Sequence, residues 1–180
     1  FREADIVHLN WINQGMISLP VIGKILESGK SIVWTLHDMW PFTGICHHAE
    51  SCTGWLTGCG DCPQLRYPAD GDLSAKVFKN KVKAYAKGRL HVVACSQWLA
   101  DLAKRSTLFK ENKIYCIQNA IDTQFYQPGD KMEARKALGL PQEKQLLLFV
   151  AYKATDRKKG IDYLIFFVFI TKTKNPGTSL

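Results

Sequence analysis

LHVVACSQWLADLAKRSTLF, residues 90–109, changes hydrophobic period within a few positions. LHVVACS (90–96) is a short apolar run rich in β-branched residues, which reads as a strand buried in a sheet. QWLADLAKRSTLF (97–109) then spaces its apolar residues as one face of a helix. A strand feeding directly into a helix is the repeating half of an α/β unit.

The same unit recurs on both sides. Upstream, LSAKVFKNKVKAYAKG (73–88) reads as a helix stopped at Gly88, SIVWTLHD (31–38) as a strand, ISLPVIGKILES (17–28) as a helix despite Pro20, and ADIVHLN (4–10) as a first strand. Downstream, KIYCIQNAI (113–121) reads as a further strand. Continuous rather than alternating apolar strands, separated by helices, indicate a parallel sheet covered on both faces. The fold class is therefore α/β, a Rossmann-like doubly wound parallel sheet.

After the polar, turn-rich IDTQFYQPGD comes KMEARKALGL (131–140), a short helix closed by Gly139 and Pro141. QLLLFVAY (145–152) reads as a new buried strand, followed by the loop ATDRKKG and a helix starting near Gly160. The tail FFVFITKTKNPGTSL (166–180) loses helical period. A fresh strand, loop and helix after a linker mark a second domain. The division expected is residues 1–122 for one domain, with a Cys-rich insertion at 45–64, then a linker with its helix at 123–144 and the beginning of a second domain at 145–180. The chain opens on FREADIVHL, without Met or a targeting segment, so both ends are expected to be cut from a longer protein.

Composition bounds the partners. Of 180 residues, 46% are hydrophobic and 22% charged, and the net charge of +8 favours an anionic partner without choosing among nucleic acid, nucleotide phosphates and an acidic surface. The basic residues, Lys76, Lys79, Lys81, Lys83 and Lys87 among them, fall in helical segments and read as solvated faces. The longest apolar run, YLIFFVFI (163–170), is about half of the roughly 18 residues a membrane span needs.

Between strand and helix lies ICHHAESCTGWLTGCGDCPQ (45–64), with Cys46, Cys52, Cys59 and Cys62. GCGDC is a strong half of a zinc knuckle, because the turn points two sulfurs at one ion; the spacing from Cys46 to Cys52 is looser. Three readings stay open: zinc held by four cysteines, disulfides or free thiols, and a mixed site with His47 or His48. Four protein ligands would leave no open position, so such a zinc is structural and no catalytic metal is expected. Cys95 and Cys116, inside apolar strands, read as small buried hydrophobes.

DIVHLN, VWTLHD, VVACSQWLA, IQNAIDTQFYQP and the K-x5-KGIDYL pattern, in this order, resemble the family 4 retaining glycosyltransferases, which share the two-Rossmann-domain GT-B architecture. The similarity extends to about Leu164 and is greatest to bacterial members that make surface polysaccharides and carry a Cys-rich loop after TLHD. The resemblance implies an acceptor-side first domain, a nucleotide-sugar site in the second and transfer in the cleft between. It further implies a cytoplasmic enzyme, acting on a saccharide or lipid-linked acceptor and associating peripherally with the inner face of the membrane. Without the family's remaining segments, the chain alone is expected to be inactive.

His37 ends the run SIVWTL at a strand's carboxyl edge, where ligands gather in open α/β sheets. An imidazole there can hydrogen-bond a sugar hydroxyl or the charge developing at a reacting centre. By residue type alone a strand-end histidine is more often structural; the family's T-x-H segment assigns this one to the active site. Asp38, beside it, reads as a cap or loop hydrogen-bonder. Lys153 and Lys159, with Gly160 opening a helix, read by composition as a solvated loop. The resemblance makes them the groups that hold the donor diphosphate, with Lys153 in place of the usual Arg and lacking its bidentate fork.

Asn119 and Asp122 in QNAID match a PNGID segment where the family's chain crosses between domains, and are expected to set hinge geometry. Ala120 replaces a Gly there and would strain the turn if the position needs positive φ. Trp11 and Asn13, after the first strand, could line the acceptor site, whereas Trp34, Trp40 and Trp55 read as packing. The rival reading from another class is a zinc-knuckle module that binds nucleic acid. Residues 45–64 contain no Lys or Arg, which counts against it, so no nucleic-acid partner is expected.

Overall fold

The computed structural model describes residues 1–174, and the chain folds as two compact units, Phe1–Ala120 and a second from Ile121. The first unit runs β1 (Ile6–Leu9), α1 (Leu19–Glu27), β2 (Ser31–Leu36), the cysteine segment with two short 3-10 turns, α2 (Leu73–Tyr85), β3 (Leu90–Ala94), α3 (Gln97–Arg105) and β4 (Ile114–Cys116). The four strands form one parallel sheet in the order β1-β2-β3-β4. This is a Rossmann-like α/β fold, consistent with the GT-B architecture.

Register explains which residues are buried. Leu9 pairs with Trp34, Trp34 with Val92 and Leu36 with Ala94, and these side chains, with Ile32 and Leu90, share one fully covered face. The opposite face carries Ile6, His8, Ser31, Val33, Thr35, His91, Val93 and Tyr115, all exposed or half-buried. There His8 Nε2 meets Thr35 Oγ1 at 2.8 Å across neighbouring strands.

On the covered face, Trp34, Tyr85, Phe109, Phe42 and Trp55 form a run of ring contacts: Tyr85 stacks on Phe109 at 5.6 Å and is edge-on to Trp34 at 5.7 Å. Phe42 lies 6.3 Å from Phe109 and edge-on to Trp55 at 5.7 Å. Trp34 and Trp55 are buried and Trp40 is half-buried, as packing residues should be. The run fastens the cysteine segment to the helices through rings of large buried area.

Helix α2 is set by its caps and its stripe. Asp72 accepts from the backbone N–H of Ser74 and Ala75, and Ser74, Ala75, Phe78, Lys81, Ala84 and Tyr85 form the buried side. Gly88 does not end this helix; Ala86 is its C-cap. A Cβ at Gly88 would stand 2.2 Å from the Leu26 carbonyl oxygen, so glycine is there for the close approach to α1. Lys81 departs from the solvated face expected of it and is fully buried. Cys95 is half-buried and Cys116 exposed, the latter because β4 has a neighbour on one side only.

The second unit holds α4 (Lys131–Ala137), capped by Asp130 and followed by Gly139 at φ 65, and α5 (Ile161–Lys174). Residues 145–152, expected as a strand, are not one: a strand needs a paired neighbour, and no strand occurs among the described residues of this unit. Just before them, the Arg135 guanidinium donates to the carbonyls of Pro141, Gln142 and Lys144 and ties that backbone to α4. Conversely, helix α5 continues through residues 166–174, where loss of period had been expected; residues 175–180 of that tail lie outside the described residues. Ala120 is not among the positive-φ residues, so the strain considered for it is absent.

Candidate active site

The carboxyl ends of β1 and β2 are neighbours in the sheet, and each releases its chain into polar residues: Asn10 and Trp11 from β1, His37 and Asp38 from β2. The four line one pocket together with Asn13 and Trp40. His37 is exposed, with Nε2 at 3.4 Å from Asn10 Oδ1. With that oxygen as acceptor the ring proton sits on Nε2, leaving Nδ1 as a lone pair.

Asp38 is the organiser of this edge. Its Oδ2 accepts from Trp11 Nε1 at 2.8 Å and from His47 Nδ1 at 2.8 Å, while Oδ1 accepts from the backbone N–H of Trp40 at 2.9 Å. A carboxylate can only accept, so His47 carries its proton on Nδ1. Trp11 and His47 rings lie 5.9 Å apart, bracketing the carboxylate. Asn13 is buried, its Nδ2 at 3.3 Å from His47 Nδ1 and its Oδ1 without a partner. Of the residues expected to line an acceptor site, Trp11 is open to solvent and Asn13 is not.

The cysteine segment begins two residues beyond this edge's 3-10 turn (Trp40–Phe42). Cys46, Cys52, Cys59 and Cys62 line a single second pocket with Trp55, Gly60 and Ser74, and all six cysteines of the chain are free thiols. Burial pushes the Cys59 thiol up to about 11 and raises Cys46 as well, the neighbouring sulfurs adding to both. Among the described residues, no group of three or more His, Cys, Asp or Glu side chains stands, as placed, ready to hold a metal ion.

The GCGDC turn is braced from the start of α2. Gly60 N–H donates to Ser74 Oγ at 3.0 Å, Cys62 N–H to Asp72 Oδ2 at 2.9 Å, and Asp61 N–H to the Ala69 carbonyl at 2.9 Å. Cys59 and Asp61 hold φ of 57° and 47°, a region sparsely used by residues with a Cβ, and the brace fixes them there. Hydrogen bonds from the Ser74 hydroxyl and from the Cys62 and Ala75 amides hold the Asp72 carboxyl well below the usual carboxylate range.

Lys81 reaches up from α2 beneath the same segment. Its Nζ donates to the carbonyls of Trp40 and, at 2.9 Å, Thr43, and lies 3.7 Å from the centre of the Trp40 ring. Burial pushes it down to about 7, opposed by Cys59, Cys46 and Asp38. Among the described residues no carboxylate forms an ion pair with it. Asn10 and Lys81 are what sequence reasoning missed at this edge. Lys81 was readable, since it falls on the helical stripe of Ser74, Phe78 and Tyr85.

In the second unit, Lys153 and Lys159 are exposed, and Gly160, at φ 76, precedes α5 and accepts from the N–H of Leu164. A 3-10 turn (Arg157–Lys159) presents Lys159, whose backbone N–H donates to the Asp156 carbonyl at 2.8 Å. Asn119 and Asp122 are exposed on either side of the boundary between units, and Asp122 accepts from the N–H groups of Gln124 and Phe125.

A family model described as Glycosyltransferase Family 4 matches residues 1–125. The chain is also similar to the putative colanic acid biosynthesis glycosyl transferase WcaC of Escherichia coli (strain K12), 36% identical over 130 residues, which are 65% of this chain and 31% of that protein. It thus spans about a third of the relative's length. No solved structure matches. Lys153, Lys159 and Gly160 lie beyond the residues that the family model matches.

Proposed function

The chain belongs to glycosyltransferase family 4, and on that premise we propose that it is part of an enzyme moving a sugar from a nucleotide-diphosphate donor to a hydroxyl of a saccharide or lipid-linked acceptor, with retention of configuration. The observation that carries this reading is the pocket at the β1 and β2 ends, where His37, Asn10 and Trp11 converge within the matched residues. The relative's name, which places it in colanic acid biosynthesis, supports a role in polysaccharide biosynthesis.

In this reading the acceptor oxygen bonds to the anomeric carbon on the face from which the diphosphate leaves. The electron pair of the breaking bond goes to the diphosphate oxygen, and the acceptor's proton passes to that phosphate. His37 holds the donor sugar or the reacting centre through its exposed ring, and Trp11 offers an indole face to the acceptor. Lys159, and less strongly Lys153, balance the charge of the departing diphosphate beside the N-terminus of α5. Asn119 and Asp122 set the hinge between the acceptor-side domain and the donor-side domain. No helix among the described residues is long and apolar enough to cross a membrane. In this reading a lipid-linked acceptor is met by peripheral association with the membrane.

The test is turnover by the full-length protein with a panel of UDP- and GDP-sugars. Transfer that disappears in His37→Ala supports the reading. No turnover with any donor, or unchanged turnover in His37→Ala, overturns it.

A further inference from the structure

We propose that Cys46, Cys52, Cys59 and Cys62 hold one zinc ion as four thiolates, and that the buried ammonium of Lys81 is the counter-charge of that site. The four side chains are spread along the segment yet line one pocket, whose lining contains no histidine, no carboxylate and no lysine. Neither His47 nor His48 is among the residues that line it. A donor set of sulfur alone selects zinc, or iron, in tetrahedral geometry.

Two further features favour thiolates at this pocket. The first is a hydrogen bond to sulfur: Gly44 N–H donates to Cys59 Sγ at 3.2 Å. The second is Lys81. Four thiolates around Zn2+ carry two net negative charges, and a buried anionic group requires a partner. Lys81 is buried and, among the described residues, pairs with no carboxylate; it donates to two neutral carbonyls, and one of these, that of Thr43, belongs to the same peptide unit as the Gly44 N–H. The cation therefore polarises the amide that points at Cys59. Binding draws the sulfurs inward from their present positions, in which they do not form a metal-holding set; a cysteine sulfur moves by rotation about one bond.

The site is structural, with no open position, and it holds the segment whose His47 meets Asp38. This inference does not rest on the glycosyl-transfer reading and is read out by metal content alone.

The full-length protein is purified, its metal is measured, and Zn2+ or Co2+ alone is returned to the metal-free form. One zinc per chain is expected, with the absorption bands of a tetrahedral cobalt tetrathiolate and sulfur at about 2.3 Å around zinc by X-ray absorption. Cys59→Ser lowers the metal content, and because that variant can misfold, the cobalt and X-ray spectra of the unmodified protein decide the ligand set by themselves. Lys81→Met weakens zinc about 10–100-fold against a competing chelator, whereas Lys83→Met, on the exposed side of α2, leaves it unchanged. Absence of metal with cysteines found as disulfides, iron in place of zinc, or a nitrogen ligand in the spectrum overturns the four-thiolate site. Equal zinc affinity in Lys81→Met and the unmodified protein overturns the role of Lys81.

Discussion

Asp38 and His47 meet at 2.8 Å, and through this contact the residue after the catalytic candidate of β2 is tied to the start of the cysteine segment. The same carboxylate oxygen also takes the Trp11 indole N–H at the end of β1. Three separate stretches of chain thus share one acceptor, and loss of Asp38 leaves two side-chain donors and one amide without it. A double-mutant cycle on Asp38→Ala and His47→Ala, read by urea unfolding, is expected to give a coupling of about 1–2 kcal/mol. Strict additivity would mean that the pair contributes nothing.

His37 has its ring in solvent and one long contact to Asn10. His37→Ala is therefore expected to leave the unfolding midpoint nearly unchanged, within about 0.5 kcal/mol, while lowering transfer by the full-length enzyme by about 100-fold or more. A parallel loss of stability and activity would instead make His37 a structural residue.

Gly44 is a packing requirement rather than a flexible joint. A Cβ there would stand 2.4 Å from the Ser74 carbonyl oxygen, backbone against side chain, with no rotamer to relieve it. Gly44→Ala is expected to destabilise by about 1–3 kcal/mol. Gly71→Ala, where an added Cβ meets nothing within 4 Å, serves as the control and should stay within about 0.5 kcal/mol.

Asp72 gives the first unit an acid limit. Its carboxyl is held below its unfolded value of about 3.9, so the unfolded chain takes up the proton first as pH falls. The stabilisation is complete above about pH 4 and drains away as pH drops from there towards the lower folded value. Asp72→Asn should be less stable at neutral pH and should lose stability less steeply below pH 4, measured as urea midpoints along a pH series. Parallel profiles for the two proteins would contradict this.

Much of the first unit could be read from sequence because its signals are local. Strands 31–38 and 90–96 appear as Ser31–Leu36 and Leu90–Ala94, and helix 73–88 as Leu73–Tyr85. The place of His37, exposed at a strand's carboxyl end, was legible for the same reason, whereas its assignment to the active site came from the family resemblance. QLLLFVAY misled because an apolar run states a demand for burial, and only a paired neighbour makes it a strand. The later part of α5 misled in the opposite sense: FFVFI, from residue 166, is apolar all round, so no period marks it as helical. The contacts Asn10 to His37 and Lys81 to Thr43 join residues 27 and 38 apart, a distance over which no periodicity reports.

Helix α2 holds the stretch of chain from Trp40 to Cys62 near both of its ends. At its N-cap Asp72 grips Cys62, and in its third turn Lys81 grips Trp40 and Thr43. The helix is thus a gauge that sets how far apart the two ends of the segment stand, about two and a half turns. One residue inserted between Phe78 and Lys81 would advance the lysine by about 1.5 Å and swing it by about 100° off the buried stripe.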